Sequence, residues 1–164
     1  EKVEADLLSR PPRTVSEPLF GKKNVLYSLL QGLSVLFVSS VAYFIAIDGG
    51  KGDAEAREMT FTTLILANLG LILSNRSWST NLFSLLKEKN TAFIWIVFGA
   101  LTFLAITLFV PQVTDLFRFS FLHVNDLMIC FAAAFVSMAI SEILKFINRL
   151  YTRRIHIIAE NKLV

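Results

Sequence analysis

The chain has 164 residues, of which 54% are hydrophobic and 18% charged, with a net charge of +3 and one cysteine. Soluble domains carry about 25% charged residues, so this composition, with a mean hydropathy of +0.59, points to lipid as the solvent. The lone Cys130 excludes a disulfide framework and a thiolate metal cluster, and no apolar run stands close enough to the first residue to act as a cleavable signal peptide.

The polar lead contains SRPPRTVSEPLF, Ser9–Phe20, which holds three of the four prolines. It reads as a stiff basic connection, with Glu1 as the first residue, and is expected to be preceded by more chain. The first apolar run, Asn24–Ile47, is uncharged and long enough to cross the roughly 30 Å of hydrocarbon that about 20 residues span. A glycine-rich loop of mixed charge follows. The second run starts at Met59 and is short. It spans, through about residue 75, only if Glu58 or the polar residues from Ser74 to Trp78 sit at the interfaces. The third, Thr91–Val110, ends at Pro111, which has no N–H to continue a helix. The segment Pro111–Asn125 is rich in phenylalanine and is expected to lie against the membrane surface. The fourth run is Asp126–Ile147.

The expected fold is therefore an all-α membrane protein, a bundle of four transmembrane helices. Residues 1–23 form the lead, 24–151 the membrane domain with spans at about 24–47, 59–75, 91–110 and 126–147, and 152–164 a basic tail. Thirteen of the sixteen lysines and arginines fall in the lead, the loop Asn75–Asn90 and the region from Lys145 onward. Basic residues mark the cytoplasmic side, so both termini are expected there. The same residues are explained as topology signals and contacts to anionic lipid, leaving no role for nucleic acid.

Polar side chains inside a span are the informative ones, because a helix in lipid already satisfies its own backbone. Gln31 and the first-span serines read as glue between helices, with Gly32 allowing close approach. Asn68 sits midway along the second span. Its amide carbonyl is a hard oxygen that could contact a cation, but one amide cannot hold calcium, which takes 6–8 oxygens. Bonding to a neighbouring helix is the competing reading. Glu142 and Lys145 are three residues apart and can pair, with their ends reaching back to water. His123 and His156 have no ligand-spaced partner. No phosphate-binding glycine loop, nucleophile elbow or hydrolytic acid pair is present, so no catalytic or cofactor-binding residue is assigned.

Three stretches carry a resemblance. SRPPRTVSEPLF resembles the cytoplasmic connection between the sixth and seventh transmembrane helices of P-type cation ATPases, where a basic double-proline clip ends in Glu-Pro-Leu and enters the membrane. REMTFTTLILANLGLILSNRS, Arg57–Ser77, is similar to the eighth helix and its exit. SEILKFINRLY, Ser141–Tyr151, resembles the end of the tenth helix in the calcium pumps of that family. The order and spacing match from Ser9 to Tyr151.

The resemblance implies the carboxy-terminal four helices of a calcium-pump-like ATPase. The family's cation site lies mainly on the fourth to sixth helices, and its phosphorylated aspartate, nucleotide-binding domain and actuator domain lie elsewhere. ATP, Mg and the transported cation thus belong to the full-length parent, and the implied partners are the lipid bilayer and the rest of that pump. The family's eighth helix offers one side-chain ligand, Glu in sarcoplasmic-reticulum types and Gln in plasma-membrane types. Counting back from Arg76 places Asn68 there. A neutral amide at that position argues against a second calcium site and leaves the transported ion open. The competing readings are a stand-alone four-span permease or scaffold subunit, and a soluble four-helix bundle.

Overall fold

A computed structural model describes residues 21–75, 91–120 and 122–160. The proline-rich lead, the basic loop 76–90 with Arg76, and residues 161–164 lie outside the described residues, as does the side chain of His156. Five helices follow in chain order: α1 (Lys22–Asp48), α2 (Asp53–Asn75), α3 (Thr91–Phe109), α4 (Pro111–Phe117) and α5 (Val124–Glu160). There are no strands among the described residues.

Helix ends follow from local chemistry. α1 stops where Asp48 meets two glycines, and Gly50 takes a positive φ of 76° that a side chain would resist. α2 opens with Asp53 and Glu55 in its first turn, where carboxylates complement the positive end of the helix dipole. α3 ends at Phe109, two residues before Pro111. Val110 is driven to an extended conformation (φ −93°, ψ 111°), as residues before proline are. Proline then serves as the first residue of α4, at 85° to α3. Arg118 closes α4 in the left-handed conformation, φ 53°.

α1, α2 and α5 are each long and apolar enough to cross a membrane, and the bent pair α3–α4 can make a fourth span. α5 runs on unbroken past Ile147 and Tyr151 to Glu160. Its 37 residues rise about 55 Å at 1.5 Å per residue, well beyond a bilayer's hydrocarbon thickness.

α2 is the central element, packed most extensively on α5, then on α1, with α3 on a smaller contact. α1 runs antiparallel to α2 and α5, which are parallel to each other. Cross-contacts between α2 and α5 hold a nearly constant sequence offset: 68 for Ser74–Glu142 and 71 for Cys130–Met59. The expected close approach at Gly32 does not occur, since a side chain built there would meet nothing within 4 Å. Gly70 makes it instead, with a built Cβ 3.5 Å from Met138 Cβ. α3 and α4 are held to α2 by rings. Phe61 meets Phe103, Phe117 and Phe119 at centroid distances of 6.5, 5.8 and 5.4 Å.

The inside and outside are inverted relative to a water-soluble bundle. Large apolar side chains such as Phe37, Phe44, Trp95 and Phe135 are exposed, while Gln31, Glu58, Thr62, Ser74, Ser137 and Lys145 are buried. In water such a surface would aggregate. In lipid it is the expected arrangement, with small and polar residues between the helices. The soluble-bundle reading falls on this observation.

Candidate functional site

The buried polar residues form a seam along the junction of α1, α2 and α5. At the end holding the start of α1, Gln31 and Asn75 exchange two amide hydrogen bonds, Nε2 to Oδ1 at 2.8 Å and Nδ2 to Oε1 at 2.9 Å. The antiparallel register of α1 and α2 brings them level. One turn inward, the Ser34 hydroxyl donates to the Gln31 carbonyl at 2.7 Å and lies 3.4 Å from the Ser137 hydroxyl. Ser141 returns its hydroxyl to the Ser137 carbonyl.

Beside them Glu142 accepts from the Ser74 hydroxyl at 2.7 Å and from Lys145 Nζ at 3.1 Å. Lys145 also donates to the Ser74 backbone carbonyl, a group freed by the end of α2. The pairing of Glu142 with Lys145 is as the spacing predicts, but its setting differs. The lysine side chain is 3% exposed, so it crosses to a neighbouring helix rather than reaching water. It is drawn in by the carbonyl at α2's end, which offers a cation a partner inside the bundle.

The opposite end is tied by Lys51, in the α1–α2 loop, whose Nζ lies 2.8 Å from Asp126 Oδ2 and 4.0 Å from Glu55. The hydrogen bond to Asp126, reinforced by the charges of Asp126 and Glu55, raises the Lys51 ammonium above its ordinary 10.5 despite some loss of solvation. Asp126 also accepts from the His123 backbone N–H at 3.3 Å, capping the start of α5. Cys130 is wholly buried and donates its thiol to the Met59 carbonyl at 3.4 Å.

Asn68 lies apart from the seam. It is exposed on α2, on a stripe with Leu64 and Ile72 one turn to either side. Its Nδ2 donates to the Leu64 carbonyl at 2.9 Å, so it makes no bond to another helix of this chain among the described residues. Sequence reading picked out Gln31 but not Asn75, and paired Glu142 with Lys145 without Ser74. The missing partners depend on helix register, which no local pattern carries. Lys51 and Asp126 carry no sequence signal beyond standing at the borders of apolar runs, where charge is ordinary, and Glu58, which by sequence could sit at an interface, is buried within the bundle.

Chemically, the seam pairs amides, hydroxyls and opposite charges with one another and presents no nucleophile with an adjacent base. It defines a lipid-embedded helical domain whose polar groups are committed largely to joining helices. Residues 1–147 match the family described as cation transporting ATPase, C-terminus, and the chain belongs to that family. It is similar to the mouse calcium-transporting ATPase type 2C member 2, at 25% identity across 93% of this chain and 16% of that protein. It is similar too to calcium-transporting ATPase 1 of Schizosaccharomyces pombe, at 24% identity across 91% and 17%. For the human calcium-transporting ATPase type 2C member 1 the identity is 21% across 91% and 16%. The chain thus spans about one sixth of the length of the curated relatives it matches. These matches leave the stand-alone permease or scaffold reading without support.

Proposed function

We propose that this chain is the carboxy-terminal membrane domain of a P-type cation pump, with calcium as the transported ion. The observation that carries the reading is the family match along residues 1–147, and the relatives' names supply the ion. In this reading the lead is the cytoplasmic connection into the membrane, residues 24–151 form the membrane domain, 152–164 is the cytoplasmic tail, and both termini face the cytoplasm. ATP hydrolysis, Mg and the phosphorylated aspartate belong to the rest of the pump, which is the domain's partner together with the bilayer.

The seam makes the domain a comparatively rigid wall, and Asn68 is its contribution to the cation site. An amide exposed halfway along a membrane helix is costly against lipid and is expected to face protein or a polar cavity. With Nδ2 held by Leu64, its carbonyl oxygen remains for a cation bound by the pump's other helices. In the full-length pump, Asn68→Ala is expected to weaken apparent cation affinity about tenfold, roughly 1.4 kcal/mol, in a transport or ATPase titration. Unchanged affinity would return Asn68 to a packing role. The isolated chain is expected to show no vanadate-sensitive ATP hydrolysis.

A further inference from the structure

Glu58 is the most anomalous residue in the bundle. It is 0% exposed, and neither carboxylate oxygen has a hydrogen-bond partner among the described residues. The Ser120 backbone amide approaches it without completing a bond. Thr62 stands one turn further along the same face of α2 and Thr63 follows it. Both are wholly buried; the Thr62 hydroxyl is also unpartnered, while the Thr63 hydroxyl approaches the Cys130 thiol without completing a bond. A helical threonine can satisfy itself by bonding the carbonyl four residues back, as Thr60 does to Ala56 at 2.7 Å. Thr62 and Thr63 do not. Both carboxylate oxygens of Glu58 and the Thr62 hydroxyl are therefore left without partners on one face of α2.

The surrounding charges do not neutralise Glu58. On its own helix, Glu55 adds a negative charge, and Arg57 reaches outward to the Arg118 carbonyl. Lys51, in the preceding loop, is committed to Asp126. From α5, Asp126 adds negative charge, and the Cys130 thiol is bonded to Met59. From the segment before α5, Arg118 is exposed, and His123, its side chain 70% exposed, stands beside Asp126. An ionised carboxylate left alone in this setting is strongly disfavoured, so a positive charge must be supplied.

The donor set limits what supplies it. One carboxylate carries one charge, and divalent calcium would need 6–8 oxygens. Among the described residues no three His, Cys, Asp or Glu side chains come together to hold a metal. We propose that Glu58, with Thr62, forms a binding site for one monovalent cation, a proton or an alkali ion, near the α1–α2 loop end of the bundle. It is separate from Asn68, ten residues and about 15 Å further along α2, and either assignment can fail without the other.

The test uses the full 164-residue chain in lipid nanodiscs and infrared difference spectra of wild type against Glu58→Gln. Choline is the only added cation at first, then sodium or potassium. A bound proton gives a carboxylic-acid carbonyl band near neutral pH that shifts on deuteration. That band is lost in Glu58→Gln, kept in Glu55→Gln and indifferent to alkali ions. A bound alkali ion gives carboxylate bands that shift saturably with sodium or potassium. Thr62→Val, which keeps the side chain's shape, is expected to shift whichever signature is seen and serves if Glu58→Gln does not fold. Carboxylate bands indifferent to pH, sodium and potassium overturn the proposal. So does a Thr62→Val spectrum identical to wild type.

Discussion

Gln31 and Asn75 are separated by 44 positions yet exchange both of their amide hydrogen bonds. Removing one partner leaves the other's donor and acceptor unpaired in a place water reaches poorly, which costs more than the bond itself was worth. Gln31→Leu is therefore expected to destabilise the bundle by about 1–2 kcal/mol, read from reversible unfolding in lipid–detergent mixtures. Gln31→Leu with Asn75→Leu is expected to cost less than the two singles together, with a coupling of roughly 0.6 kcal/mol, the average found for polar contacts between membrane helices. Strict additivity would mean the pair is not coupled. At this scale, residue type was readable in the sequence and partnership was not. Gln31 stood out as an amide in an apolar run. Asn75, at the fraying edge of a short run, did not. Lys145 shows the converse: its pairing with Glu142 follows from spacing alone, but its burial depends on where α2 ends.

Elements were readable where chemistry is local. Pro111 ends α3 because it lacks an N–H, and that reason needs no tertiary information. The length of α2 depended on tertiary structure instead: its first turn, from Asp53, is polar and is held by packing and by Lys51 rather than by hydrophobicity. α5 likewise continues beyond its apolar run, since a helix leaving the membrane need not be hydrophobic. The small residue that lets helices approach is Gly70, facing Met138, rather than Gly32, because glycine's value there depends on what lies opposite. The α1–α2 loop also carries a pH signature. Pairing with Asp126 raises the Lys51 ammonium above 10.5 in the folded state, so the folded form holds its proton more tightly than the unfolded chain. That stabilisation is complete below 10.5 and is lost as pH rises through the elevated folded value. The pair is partly exposed, so the effect is small and weakens with salt. Unfolding curves at alkaline pH are expected to show a decline in wild type that Asp126→Asn lacks. An identical decline in both would remove Lys51 from the account.

For the whole molecule, composition points to the solvent and the apolar runs to three or four candidate spans, while orientation rests on the distribution of charge. Thirteen of the sixteen basic residues fall, by sequence, in the lead, in the segment 75–90 and from Lys145 onward, the pattern that marks cytoplasmic segments. Lys145 weakens that tally slightly, because the structure uses it as an internal partner to Glu142 and to the end of α2. In the proposed orientation the α1–α2 loop lies on the far side, with Lys51, Arg57 and Arg118 as the only basic residues assigned there. Cysteine labelling tests this directly. Cys130 is wholly buried and hydrogen-bonded, so the wild-type chain is expected to give little background. Gly52 is exposed in the α1–α2 loop, where a built side chain meets nothing within 4 Å. In sealed vesicles with their cytoplasmic face inward, Gly52→Cys is expected to react with a membrane-impermeant maleimide, while Lys162→Cys reacts only after permeabilisation. Reaction of Lys162→Cys before permeabilisation, with Gly52→Cys protected, would invert the orientation. Equal reaction of both in sealed vesicles would place them on one side and require an odd number of spans between the loop and the carboxy-terminal region to become even.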